Sequence, residues 1–317
     1  MSGYGEFDII REFFSRPGHD DNVVLGIGDD AALLAVPTGE VLVVTTDTLV
    51  TGCHFPENAL AYDIGWKSLA VNLSDLAAMG AKARWVTLAI TLPDNDADFL
   101  REFTHGFFSL ADQNGVRLVG GDTTRGPLSI TVTAMGTVPV AQALRRDGAR
   151  PGDDLYVSGT LGDAGLGLRL TLEQWPDAIE PQNQAIALER LNRPQPRLAL
   201  SLALRDLATA CMDVSDGLAQ DLSHLLRASQ VGAELNLDAL PLSPALQAID
   251  PAFATIFALT SGDDYELLFT APVHARDVIA RLSIPCQRIG CITEAHGLIF
   301  QRDGHPVDMP VAGYTHF

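Results

Sequence analysis

Short β-branched runs alternate along this chain with stretches whose apolar residues recur every three to four positions, and the economical outcome is mixed sheets covered by helices. Val41 to Val44, running into Thr45-Thr46-Asp47, reads as a strand, as do Trp85 to Leu92, Val116 to Val119 and Leu128 to Val138. A helix is predicted over Ala61 to Met79, where Trp66, Leu69, Leu73 and Leu76 form a stripe and Gly80 supplies the stop. Asn72 and Asp75 share a face of it. A second is predicted over Asp96 to Asn114, where Phe99, Phe103, Phe107 and Leu110 form a core stripe closed by Gly115. The period breaks at Arg145 to Asp154, which is polar and rich in turn residues. With 317 residues the chain is long enough for two cores, so the expected domains are 1–140 and 150–317. In the second, strands are predicted at Leu155 to Ser158, Ala233 to Leu237, Tyr265 to Thr270 and Leu298 to Gln301. Helices are predicted near Ala185 to Leu191, Arg197 to Ala208 and Gly217 to Ala228. The fold class is α+β, two domains of mixed sheets with helices over them.

Charge excludes several partners. Lys and Arg total 21 against 40 Asp and Glu, a formal charge of -19, which is the wrong sign for a duplex-binding or anionic-membrane surface. The longest uncharged stretch, Gly126 to Leu144, is broken by Pro127, Pro139 and a row of Ser and Thr, so no membrane span is expected. Met1 to Arg16 mixes Glu6, Asp8, Arg11 and Glu12 into its apolar positions, unlike a secretory leader. The cysteines, Cys53, Cys211, Cys286 and Cys291, form no C-x-x-C pair. A cytoplasmic location follows as the expectation.

The chemistry is signalled by five segments that set Asp beside Gly, Ser or Thr: Gly28-Asp29-Asp30, Thr45-Thr46-Asp47, Asn72-Leu73-Ser74-Asp75, Gly120-Gly121-Asp122-Thr123-Thr124 and Asp213-Val214-Ser215-Asp216-Gly217. Two of them are expected to end strands, on the rim where such folds build sites. Carboxylates brought together raise one another's pKa unless a positive charge joins them. Oxygen donors without supporting His or Cys suit Mg²⁺ or Mn²⁺, whose shells are completed by water and substrate phosphates. An acidic protein thereby accommodates an anionic nucleotide. Alone, each Asp would read as a turn or helix-cap residue; Asp29 competes with Asp30, and Asp216 could cap the helix near Gly217. The run Ser158-Gly159-Thr160-Leu161-Gly162-Asp163-Ala164-Gly165-Leu166-Gly167 follows a strand and could offer N–H groups to phosphate, although it matches neither a P-loop nor a dinucleotide fingerprint.

In this order the segments resemble the thiamine-monophosphate kinase family, of the superfamily that also holds aminoimidazole ribonucleotide synthetase, selenophosphate synthetase and the hydrogenase-maturation dehydratase. The resemblance runs from Gly5-Glu6-Phe7 to the terminal Gly313-Tyr314-Thr315-His316-Phe317. His54-Phe55, Ser261-Gly262-Asp263-Asp264-Tyr265 and that terminus point to the thiamine-phosphate branch. It implies Mg²⁺-dependent transfer of the ATP γ-phosphoryl group to thiamine monophosphate. By position, Asp30, Thr45, Thr46, Asp47, Asp75, Asp122, Asp213 and Asp216 would hold several magnesium ions. Gly121, Asp122, Arg146 and Ser215 would contact ATP, while His54, Asp263 and Tyr314 would face the thiamine phosphate. Asp47, Asp122 and Arg146 would carry catalysis. The resemblance further implies a homodimer whose N-terminal sheets join in a barrel. Where the family usually has Gly-Gly-Glu-Asp-Tyr, this chain has Ser261 and the shorter Asp263.

A phosphate monoester has its second pKa near about 6, so the attacking oxygen is already anionic and no general base is required. Positioning and charge neutralisation then carry the reaction. Arg145 beside Arg146 leaves the residues alone undecided between the two. Other superfamily chemistries predict a Cys or Sec near the N-terminus or a Cys-bearing tail; here no Cys precedes Cys53 and the chain ends in His316-Phe317. A non-enzymatic cation binder would scatter its acids over helix faces.

Overall fold

The computed structural model describes residues 5–16 and 20–309. Its contacts divide the chain into two compact units, Met1–Leu76 with Ala81–Ala141, and Ala77–Gly80 with Gln142–Phe317.

The first unit opens with α1 (Glu6–Ile9), continued by a turn of π-helix at Ile10–Phe14. A two-stranded ribbon follows, β1 (Val23–Leu25) with β2 (Leu33–Leu34). Then come β3 (Glu40–Val50), α2 (Ala61–Ala78), β4 (Lys82–Leu92), α3 (Ala97–Asn114), β5 (Arg117–Arg125) and β6 (Ser129–Pro139). The last four strands form a sheet in the order β3-β6-β4-β5, with β4 and β5 parallel and the other neighbours antiparallel. Strand alternation gives it two unlike faces. Leu49, Ile130, Val132, Ala134, Leu88 and Ile90 are buried on one, while Leu42, Val44, Thr46 and Thr48 of β3 are exposed on the other.

Both predicted helices form. Asp96 caps α3 by accepting the N–H groups of Asp98 and Phe99, and Gly115 ends it in the left-handed conformation. Phe103, Phe107 and Leu110 are buried, with Phe103 stacked on Phe107. The two helices touch backbone to backbone. A side chain at Gly65 would collide with the Phe103 carbonyl, and one at Gly106 with that of Tyr62.

The second unit contains β7 (Asp154–Ser158), α4 (Asp163–Thr171), α5 (Pro181–Asn192), α6 (Leu198–Leu204), β8 (Ala210–Asp213), α7 (Leu218–Ser229) and β9 (Gly232–Asn236). After them come α8 (Pro244–Gln247), α9 (Pro251–Thr260), β10 (Leu267–Ala271), α10 (Arg276–Ile279), β11 (Cys286–Thr293), β12 (Gly297–Arg302) and β13 (His305–Val307). Its seven-stranded sheet runs β13-β12-β9-β11-β7-β10-β8 and is mixed, β9 and β12 being parallel. The amphipathic α7 buries Leu218, Leu222, Leu225 and Leu226 in the core that also holds Leu155, Val157, Leu268 and Ile289. A smaller core joins Leu166, Ala187, Leu246, Ala254 and Phe257 of α4, α5, α8 and α9. The two mixed sheets with their helices are the architecture expected from the sequence.

Candidate active site

In the first unit the carboxylates gather where α2 lies over β3. The β-branched Thr45, Thr46 and Thr48 continue the pleat beyond Val44, so β3 extends to Val50. Asp47 therefore lies inside a strand, a correction to the expected strand end. Thr45 and Asp47 share a face. The Asp47 amide donates to Asn72 Oδ1 at 3.0 Å, and the Thr45 hydroxyl donates to Asp75 Oδ2. Asn72 is itself fixed, its Nδ2 donating to the Ser68 carbonyl at 3.1 Å. Burial, and then the neighbouring Asp75 charge, push Asp47 up to about 6. Two facing carboxylates with an adjacent hydroxyl are a donor set that suits a hard divalent cation. Thr46 faces the opposite side, where its hydroxyl meets that of Thr133 at 2.9 Å.

Asp122 is not brought to this pair within the chain. β5 also runs on through its threonines to Arg125, so Gly121 and Asp122 lie within a strand, not beyond its end as expected. Asp47, Val132, Leu88 and Gly121 form one row across the sheet, and Thr48, Thr131, Ala89 and Asp122 the next. Three strand spacings, about 14 Å, separate the two edges. A side chain at Gly121 would strike the Leu88 carbonyl, which accounts for that glycine by packing alone. Asp30 is exposed between β1 and β2, and its amide donates to Asp29 Oδ1 at 2.8 Å. His54 Nδ1 accepts the Val50 N–H at 3.0 Å, which places the ring proton of the neutral imidazole on Nε2.

In the second unit Asp213 does end a strand. It is 2% exposed and pairs with Leu267 at the end of β8, an edge strand. The chain then turns through Val214, Ser215 and Asp216 into α7. Asp216 does not cap this helix. Instead Asp221, from its first turn, reaches back to accept the N–H groups of Ser215 at 2.9 Å and Asp216 at 3.0 Å. Burial pushes Asp221 up to about 6, while Arg146 pulls the other way. The Ser215 turn is laced to residues 261–266: Asp263 N–H donates to the Ser215 carbonyl at 2.9 Å, and Tyr265 N–H to that of Val214 at 2.8 Å. Asp213, Ser215, Asp216 and Asp263 are thus gathered at one end of β8 and β10, with the charge of Arg146 facing Asp221. The neighbouring Arg145 is held by Asp147, with bonds of 2.9 and 2.5 Å. Tyr314 lies outside the described residues.

The Gly-rich run does not form a phosphate cradle. The N–H groups of Gly159 and Leu161 bond to the carbonyls of Pro285 and Pro241, and that of Gly162 to Asp264 Oδ2 at 2.7 Å. Asp221, Asn72 as an amide acceptor, and the buried Glu266 were not singled out from sequence. An acid in the first turn of a predicted helix is the signal that could have found Asp221. Among the described residues no group of three or more His, Cys, Asp or Glu side chains is arranged to hold a metal ion. No helix among them is long and apolar enough to cross a membrane.

Helix-backed mixed sheets, each with its own aspartate segments, define the class: family models described as AIR synthase related protein, N-terminal domain, and AIR synthase related protein, C-terminal domain, match residues 28–138 and 150–303. The chain is 45% identical to the thiamine-monophosphate kinase of Escherichia coli (strain K12), over 99% of this chain and 98% of that protein. The crystal structure of thiamine-monophosphate kinase from Stenotrophomonas maltophilia K279a superposes with a TM-score of 0.84 at 50% identity, covering 90% of this chain and 93% of that one. A structure of AaThiL complexed with AMPPCP and TMP reaches 0.78 at 32% identity, covering 89% of each. This chain belongs to the thiamine-monophosphate kinase family and is a kinase.

Proposed function

We propose that the chain transfers the γ-phosphoryl group of ATP to the phosphate of thiamine monophosphate, giving thiamine diphosphate and ADP. One observation carries the substrate pair: the AaThiL relative was solved with AMPPCP, a non-hydrolysable ATP analogue, and TMP. The two substrates are polyanions, and the first unit offers Asp47 and Asp75 on one face with the Thr45 hydroxyl between strand and helix. Asp30, Thr45, Thr46, Asp47, Asp75 and Asp122, with Asp213 and Asp216 of the second unit, would hold several Mg²⁺ ions, although the Thr46 hydroxyl is engaged with Thr133. When bound, these ions neutralise phosphate charge and let two anionic reactants approach.

The chain's own groups do the rest. Gly121, Asp122, Arg146 and Ser215 would contact ATP, with the Arg146 fork suited to phosphate oxygens. Asp47, Asp122 and Arg146 would carry the catalytic effect. His54, whose proton sits on Nε2, would donate toward the thiamine phosphate, with Asp263 and Tyr314 at the thiamine moiety. No residue need remove a proton, because the attacking phosphate oxygen is already ionised near neutral pH. In this reading residues 1–140 bind metal and nucleotide and dimerise, and residues 150–317 complete the site. A homodimer is supported by the exposed Leu42, Val44, Thr46 and Thr48 face of β3, and by the separation of Asp47 and Asp122 on opposite sheet edges. Four free cysteines accord with a cytoplasmic location.

The test is a chromatographic assay of purified protein with ATP, Mg²⁺ and thiamine monophosphate, with thiamine and an aminoimidazole ribonucleotide precursor as control acceptors. Thiamine diphosphate formed from thiamine monophosphate alone, and lost with EDTA, is the expected result. Turnover with a control acceptor instead would overturn the substrate assignment.

A further inference from the structure

We propose that Tyr265 and the buried Arg190–Glu266–Arg197 clamp are positioning residues that hold the Asp263 carboxylate where the thiamine moiety is read, an inference that rests on the substrate-facing role of Asp263 given above. Asp263 and Tyr265 both adopt left-handed backbone, with φ of 67° and 50°. Residues with side chains persist there only when their surroundings impose it. The surroundings are on two sides. Above, main-chain bonds tie residues 263 and 265 to the Ser215 turn, and the Tyr265 hydroxyl donates to Asp263 Oδ1 at 3.0 Å. Below, the Glu266 carboxylate is wholly buried and accepts Arg197 through Nε at 2.6 Å and Nη2 at 2.5 Å, Arg190 Nη2 at 2.8 Å and the Ser158 hydroxyl at 2.5 Å. Arg190 Nη2 also donates to the carbonyl of Asp264, the residue between the two left-handed positions, at 3.1 Å.

This clamp and the segment it holds explain two of the glycines that the sequence made conspicuous, while Gly162 and Gly167 are set by close backbone contacts with Ala258 and Ala187. A side chain at Gly159 would collide with the Glu266 carboxylate, and one at Gly165 with the Ser261 hydroxyl. At Gly159 and Gly165 the Gly-rich run is moulded to residues 261–266. Burying a carboxylate and two guanidinium groups is a poor way to gain stability, since well-packed apolar side chains commonly do as well; what such a network adds is one specified geometry. The geometry specified here is the turn that presents Asp263. Being one methylene shorter than Glu, its carboxylate has less reach, and the Tyr265 hydroxyl fixes the direction it takes.

A double-mutant cycle on the full-length kinase tests the assignment, reading KM for thiamine monophosphate and KM for ATP separately alongside Tm. Tyr265→Phe should raise KM for thiamine monophosphate about three- to tenfold, the size of one hydrogen bond, with KM for ATP and Tm little changed. Asp263→Ala should raise it at least as much, and adding Tyr265→Phe to Asp263→Ala should then have no further effect. Glu266→Gln should move KM in the same direction while also lowering Tm. If Asp263→Ala raises KM and Tyr265→Phe does not, or if the two effects add independently, the positioning role is overturned while the reading of Asp263 stands. An Asp263→Ala variant with an unchanged KM would overturn both.

Discussion

Asp47 is charged against its surroundings: it is half-buried, it faces Asp75, and it is pushed up to about 6. A carboxylate kept in that state serves a cation better than it serves the fold. Asp47→Asn is therefore expected to lower kcat at least about a hundredfold, while Tm stays level or rises because the repulsion with Asp75 is gone. Steady-state kinetics and thermal denaturation check the two halves. The adjacent arginines separate in the same way. Arg145 is spent on exposed Asp147, and Arg145→Ala should leave activity within about twofold; Arg146→Ala should raise KM for ATP at least about tenfold. Equal kinetics for the two variants would remove Arg146 from the nucleotide site. At this scale the sequence is most legible where residue type is itself the chemistry, as in the aspartates beside Gly, Ser and Thr. Tyr265, Asp221 and Glu266 escape it because their roles are bonds: Glu266 becomes informative only when Arg190 and Arg197, some seventy positions away, are seen to reach it.

The helices α2 and α3 were legible because a stripe at helical spacing can be buried in only one way. Strand limits were less so. The threonines of β3 and β5 carry both a turn-forming hydroxyl and a β-branched stem, and pairing along the sheet decides in favour of the strand. β11, central in its sheet, escaped because an irregularity between Arg288 and Gly290 interrupts its alternation. The start of β7 carries a testable electrostatic feature. Asp154, 2% exposed, accepts Arg276 at 2.6 and 2.7 Å and Arg288 at 3.0 Å, and these bonds hold its carboxyl below the usual range. A depressed folded-state pKa contributes stability that is present above the unfolded value of about 3.9 and is lost as pH falls through the folded value. Asp154→Asn should cost about 1–3 kcal/mol at pH 7, and the gap from wild type should close as urea titrations are repeated below about pH 4. A gap unchanged at acid pH would show that the pairing contributes no charge-dependent stability.

For the molecule as a whole, the sheet of the first unit leaves Leu42, Val44 and Val50 of β3 about half exposed beside a row of threonines, an expensive face to leave in water. If a second copy covers it, Val44→Lys should convert a sedimenting dimer to monomer and remove activity with it; a dimer that survives would place the interface elsewhere. The class of the fold, the two-part organisation and the aspartate segments could be read from sequence, since each depends on residue type and on periods of two to four residues; the kinase family came from the resemblance that those segments carry in their order. The tertiary structure alone decided which aspartates meet. It set Asp47 against Asp75 through a strand and a helix, and put Asp122 across the sheet from them. It also turned a Gly-rich run from a phosphate cradle into a socket for buried Glu266. The physical reason is that hydrogen-bond partners and steric neighbours are fixed by register and packing between distant segments, which no local pattern records.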